Sequence, residues 1–186
     1  MSTSAPSGRS PFDQRDYRNA LGSFATGVTV VTTLDDGGRR YAMTVNSFAA
    51  VSLSPPLVLW SVSRESPSAR AFLTATHFAI NVLAVGQIAL SRHFARSSED
   101  KFAGIPILAG VAGLPLIADA AAVFQCRTEA IHPGGDHEVI LGRVERYEYS
   151  DREPLVFCRG RYERGVNIEI AADRDADLAA AWGGLA

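Results

Sequence analysis

YAMTVNSFAAVSLSPPLVLWSVS, residues 41–63, holds no charged side chain in a chain where 20% of residues are charged. It is nevertheless studded with hydrogen-bonding groups: Thr44, Asn46, Ser47, Ser52, Ser54, Ser61 and Ser63. A membrane-spanning helix needs about 20 predominantly apolar residues. Pro55 and Pro56 would break such a helix midway, and the hydroxyls and amide argue against it further. Phe48–Pro56 and Leu57–Ser63 instead read as two short strands joined at a bend. That reading makes the fold β-rich.

The rest of the 186-residue chain agrees. Val28–Leu34 (VTVVTTL) is β-branched, and Asp36-Gly37 signals a hairpin turn into RYAMTV. HFAINVL has the length and residue types of a buried strand. Three further strands are expected in AVFQCRTEAIH, HEVILGRVERYEY and PLVFCRGRYER, the first two separated by a turn at 133–136. Helices are few. FDQRDYRNALGSFATG places Tyr17, Leu21 and Phe24 at helical spacing, with Gly27 as a stop. SPSARAFLTA reads as a helix capped by Ser66 with Pro67 at its first position. GQIALSRHFAR is amphipathic. GIPILAGVAGLPLIADA, punctuated by Gly and Pro, reads as irregular. Many strands with few helices suggest an antiparallel β-barrel with capping helices. The expected organisation is a leader over 1–11, one domain over 12–170 and a tail over 171–186 with a short helix.

Composition excludes several functions. Net charge is −2, with no basic patch suited to nucleic acid or a membrane surface. The N-terminus lacks the apolar run of a secretory signal. Cys126 and Cys158 give neither a zinc spacing nor a disulfide framework, so a cytoplasmic setting is the default. No G-x-G-x-x-G, Walker lysine or G-x-S-x-G motif is present, and His77, His93, His132 and His137 lack metal-ligand spacing.

FATGVTVVTT, MTVNSFAAVSLSPPLVLWSV, NVLAVGQIALSRHFA, GGDHEVILGRV and PLVFCRGRY, in that order from Phe12 to Gly165, resemble the flavin reductase family. These are short NAD(P)H:flavin oxidoreductases that supply reduced flavin to two-component monooxygenases. The resemblance implies a split β-barrel, usually a homodimer, that takes FAD or FMN and NADH or NADPH. It also gives the neutral stretch a purpose. An isoalloxazine ring has a flat apolar body and an edge of N and O atoms, so its site needs apolar walls and a few neutral polar groups.

By this resemblance Thr44, Val45, Asn46 and Ser47 line the flavin, with Ser61 and Val62 at the end of a second strand and Ser52 facing the ligand. A neutral stretch cannot neutralise a phosphate, so Ser91, Arg92 and Phe94 of SRHFA, with Ser66, are the expected phosphate-side residues. Gly135, Asp136 and His137 form a turn beside the flavin ring, where His137 places the nicotinamide; Tyr162 borders it. On the residues alone these positions also suit ordinary turns, caps and a solvated helix face. A flavin-binding electron carrier or sensor without turnover, a relative of pyridoxamine-phosphate oxidases, and a β-rich binding module without redox chemistry are the alternatives.

Overall fold

The computed structural model describes residues 13–98 and 100–165; the expected leader and tail lie outside them. Among the described residues twelve strands and three α-helices follow in order. They are α1 (Gln14–Leu21), β1 (Thr26–Gly27), β2 (Thr29–Leu34), β3 (Arg40–Val45), β4 (Ala49–Leu53), β5 (Pro56–Ser63), α2 (Ala69–Thr74) and β6 (His77–Val82). Then come α3 (Ile88–Phe94), β7 (Ile107–Ala109), β8 (Pro115–Ile117), β9 (Ala122–Gly134), β10 (His137–Tyr149), β11 (Leu155–Cys158) and β12 (Arg161–Arg164). The fold is mainly β, as the sequence implies.

Seven strands form an antiparallel sheet in the order β3-β2-β6-β9-β10-β5-β4. Laid flat, seven strands about 4.8 Å apart would set the edges roughly 29 Å from each other. Yet the edge strands β3 and β4 are consecutive in the chain, joined only by residues 46–48. Four Cα steps of 3.8 Å reach about 15 Å at most. The sheet therefore curls. No ladder joins β3 to β4, so the curl keeps an open seam along β3. Register shifts in the β9–β10 pair, at Leu141/Gly142 and Val144/Arg146, add bend where the curvature is needed.

The curl lets Val31 on β2 share a core with Trp60 on β5, four strands away in the ladder, together with Phe78, Ile80, Cys126 and Ile140. Trp60 is fully buried and meets Phe72 of α2 edge-on, with ring centroids 5.0 Å apart. Burying a side chain of this kind stabilises by about 1.5–3 kcal/mol. Burial, with the Glu145 charge adding, pushes the Cys126 thiol up to about 12, so it stays protonated and structural. Val30, on the other face of β2, and Val28, just before that strand, join a second core with Leu83, Phe94, Phe102, Ile117 and Leu155.

Four expectations are corrected. The stretch read as irregular contains the β7–β8 hairpin, tied down by buried polar groups: Ile117 N donates to Asn81 Oδ1 (2.9 Å) and Thr32 Oγ1 to the Pro115 carbonyl (2.6 Å). PLVFCRGRYER is not one strand but the β11–β12 hairpin, turned at Arg159 and Gly160, both with positive φ. Two residues in the left-handed region give the tight turn whose twist suits a hairpin. Finally, α2 starts at Ala69 rather than after Ser66, because Ser66 and Pro67 are spent in a turn whose Ser66 carbonyl accepts from Ala69 N (2.9 Å). The first helix also stops earlier than expected, at Gly22, leaving Tyr17, Leu21 and Phe24 exposed.

Candidate active site

The link between the edge strands brings residues of the neutral stretch together. β3 ends at Val45, the connection 46–48 crosses to β4, and β5 ends at Ser63 directly opposite His137 of β10. The Ser47 hydroxyl accepts from Ser61 N (3.0 Å) and donates to the Ser61 carbonyl (3.2 Å). It thus behaves like a strand backbone and pins the crossing connection to β5. Along the ladders Val45 lies opposite Thr29, whereas Ser61, the backbone of the core residue Val62, and the Gly135–His137 turn lie at the Ser63 end of β5; the Ser47–Ser61 bonds bring the Thr44–Ser47 segment to that end. Asn46 is exposed and forms part of a cleft of about 670 Å³ with Phe24, Phe157, Arg18 and Arg159. Ser52 lies elsewhere, opposite Leu57 at the other end of β5, roughly 13 Å from Ser61 along the strand.

The open seam supplies a second feature. Ala42 O accepts from Lys101 Nζ at 2.9 Å, so this edge carbonyl faces away from β2. Backbone groups alternate along an antiparallel edge, and the N–H and C=O of Thr44 face the same seam. Beside them is a cavity of about 160 Å³ lined by Met43, Thr44, Ser66, Ser68, Arg96 and Lys101, among others. Lys101 spends its other contact on the Phe94 carbonyl (3.1 Å), leaving one of its three N–H groups for a ligand. Its partial burial penalises the charged form and lowers its pKa from the ordinary lysine value. His93 holds the approach: its Nε2 lies 2.7 Å from the Lys101 carbonyl.

Lys101 and Arg96, which line this cavity, are not among the residues expected at the phosphate. Ser66, which is among them, lines it as well. Arg92 sits apart, its guanidinium 5.6 Å from the Tyr162 ring centre. Tyr162 in turn shares a 2.9 Å hydrogen bond with the buried Ser91 hydroxyl, and the Ser91 carbonyl accepts from Thr44 Oγ1 (2.7 Å). These residues form a brace behind β3. The Phe94 ring is wholly buried in the second core.

The 134–137 turn is shaped by Gly135, whose φ of 74° is open to glycine and strained for most other residues. Asp136 Oδ1 lies 2.7 Å from His137 Nδ1. This hydrogen bond, then the imidazole's charge, holds the Asp136 carboxyl below its usual value. With Nδ1–H directed to the carboxylate, Nε2 is left for a ligand, and the His137 side chain is 44% exposed. The arrangement can bind a flat, neutral-edged ring at the sheet end, an anionic group at Lys101 and Arg96, and a second ligand at His137.

Residues 21–165 match the family of the flavin reductase like domain, and the chain belongs to that family. It is 47% identical over 152 residues to the FMN reductase (NADH) SmoA of Agrobacterium fabrum, covering 82% of this chain and 86% of that one. It is 43% identical over 148 residues to the reductase component of the flavin-dependent trigonelline monooxygenase of Acinetobacter baylyi, covering 80% of this chain but only 48% of that protein. The chain thus spans about half the length of some relatives. Among solved structures, the NADH:FAD oxidoreductase SgcE6 of Streptomyces globisporus, in complex with NAD and FAD fragments, superposes with a TM-score of 0.80 at 38% identity, over 85% of this chain and 96% of that one.

Proposed function

We propose that this protein is an NADH-dependent flavin reductase that reduces FAD or FMN and delivers the reduced flavin to a partner monooxygenase. NADPH is the second candidate donor. The observation that carries the reading is the Ser47–Ser61 clasp, which brings Thr44–Ser47 against the end of β5 that pairs with His137, while Thr44 also borders a cavity with two cations. That donor set fits a flavin: neutral groups for the ring and ribityl chain, then Lys101, Arg96 and serine hydroxyls for the phosphate. When bound, the flavin supplies a hydride-accepting ring and the nicotinamide supplies the hydride. Catalysis by the chain itself then rests on placement. The Ser47–Ser61 clasp fixes the wall of the ring site, and the Asp136–His137 pair presents one imidazole face to the second ligand. Fixed neutral donors at the ring's polar edge stabilise charge that develops there.

We read the open, curled sheet as the split β-barrel of this family, the 12–170 segment as one domain, and the protein as a cytoplasmic homodimer. Relatives named as reductase components or subunits of flavin-dependent monooxygenases support the partner. The test is aerobic NADH oxidation with and without added FAD or FMN. NADH loss that depends on added flavin is expected. Flavin-independent loss, or none with either nicotinamide, contradicts the reading.

A further inference from the structure

Past the phosphate-side cavity the seam does not end. A second cavity of about 490 Å³, lined by Asp35, Asp36, Tyr41, Pro67, Arg70 and Thr74 among others, adjoins the first. Pro67 lines both. The two lie along one rail. Thr44 and Met43 border the first cavity and Tyr41 the second, three positions or roughly 10 Å along β3. α2 forms the other wall through Arg70, Ala71 and Thr74. The volume is within the range of a small-ligand site.

This second cavity is built and polar. Asp35 is fully used: its carboxylate accepts from Gly37 N (3.0 Å), Arg39 N (2.9 Å) and Tyr41 Oη (3.1 Å), fixing the β2–β3 turn that forms the far wall. The neighbouring Asp36 carboxylate and Arg70 guanidinium, both on exposed residues that line the cavity, have no hydrogen bond or ion pair among the described residues. An unused acceptor and an unused flat cation face one space. A guanidinium stacks on aromatic faces, and a carboxylate accepts from hydroxyl and amino donors. Together they suit the purine and ribose of an adenosine.

We infer that this cavity is an adenosine subsite for the flavin, so that the protein selects FAD over FMN. The inference rests on the flavin reading above. A ligand with its phosphate at Lys101 and Arg96 can extend in one direction to Asn46 and in the other across Pro67 to Asp36. FMN ends at the phosphate cavity; FAD continues into the second.

The test uses the full chain, with FAD and FMN as probes. Wild-type protein is expected to bind FAD at least about tenfold more tightly than FMN by fluorescence titration. In the double variant Asp36→Ala, Arg70→Ala, FAD affinity should fall to the FMN level while FMN affinity stays within twofold. Equal wild-type affinities, or equal losses for both flavins in the variant, overturn the inference while leaving flavin reduction intact. NADH KM is also measured with FMN as acceptor. An unchanged KM is expected; a rise would assign the cavity to the nicotinamide's adenosine and overturn the inference. If neither flavin binds the wild type, the flavin reading fails and this inference with it.

Discussion

The Ser47 hydroxyl lies 3.0 Å from the backbone nitrogen of Ser61 and 3.2 Å from its carbonyl oxygen. One side chain in the link between the two edge strands therefore replaces a missing rung of the sheet. Ser47→Ala strips both contacts and leaves a half-buried N–H unpaired, at a cost of about 1–3 kcal/mol. Denaturant unfolding should show that loss, and flavin affinity should fall with it because the ring wall is no longer fixed. Ser52→Ala, at the other end of β5, is expected to leave both unchanged.

In the proposed reading His137 holds the second ligand rather than the flavin. His137→Ala should raise NADH KM several-fold and lower kcat modestly, with flavin Kd within twofold of wild type. Steady-state kinetics with a parallel flavin titration check this. Asp136→Asn, which keeps the shape but weakens the hold on Nδ1, should give a smaller rise in KM.

Lys101 yields a pH dependence. Burial disfavours its ammonium, so it loses its proton at lower pH than an ordinary lysine at 10.5. Only the protonated form attracts a phosphate. FMN affinity should accordingly weaken as pH rises into the alkaline range, while riboflavin affinity should not. Lys101→Met is expected to bind FMN roughly tenfold or more weakly, the scale of one charge-assisted hydrogen bond, and to flatten the pH profile. A profile equally steep in that variant would assign the titration to another group.

Gly142 lies at a register shift on β10, where an added Cβ would meet Phe78 Cζ at 2.4 Å and Cys126 Cβ at 3.0 Å. Both neighbours are buried. Gly142→Ala should destabilise by about 1–3 kcal/mol through overpacking, seen as a Tm several degrees lower. Adding Phe78→Leu should recover part of the loss by vacating the position of the Cζ atom.

Sequence patterning revealed the frame of the site more fully than its contacts. The uncharged stretch with its proline bend showed β4 and β5, and Asp36-Gly37 showed the β2–β3 hairpin, because such signals are local. Thr44–Ser47 and Gly135–His137 are candidates through their family motifs, and the Ser47–Ser61 bonds show how the first segment is held to β5. Lys101 is not one: its role depends on an edge carbonyl 59 residues away, and SSEDKF carries no pattern that reveals it. Arg92 and Phe94 were the converse case. Their helix was found, but which face met Tyr162 and which met the core depended on packing by β11, β12 and Phe102. The β11–β12 hairpin was missed because Arg159 takes a positive φ that its residue type does not advertise.

A crystal structure of the full chain soaked with FAD and NADH tests the central claim most directly. The expected result is an isoalloxazine ring against Thr44–Ser47 and Ser61, a phosphate on Lys101, and the nicotinamide between that ring and His137. A flavin bound away from this sheet end, or a His137 turn facing bulk water with both ligands present, would contradict it.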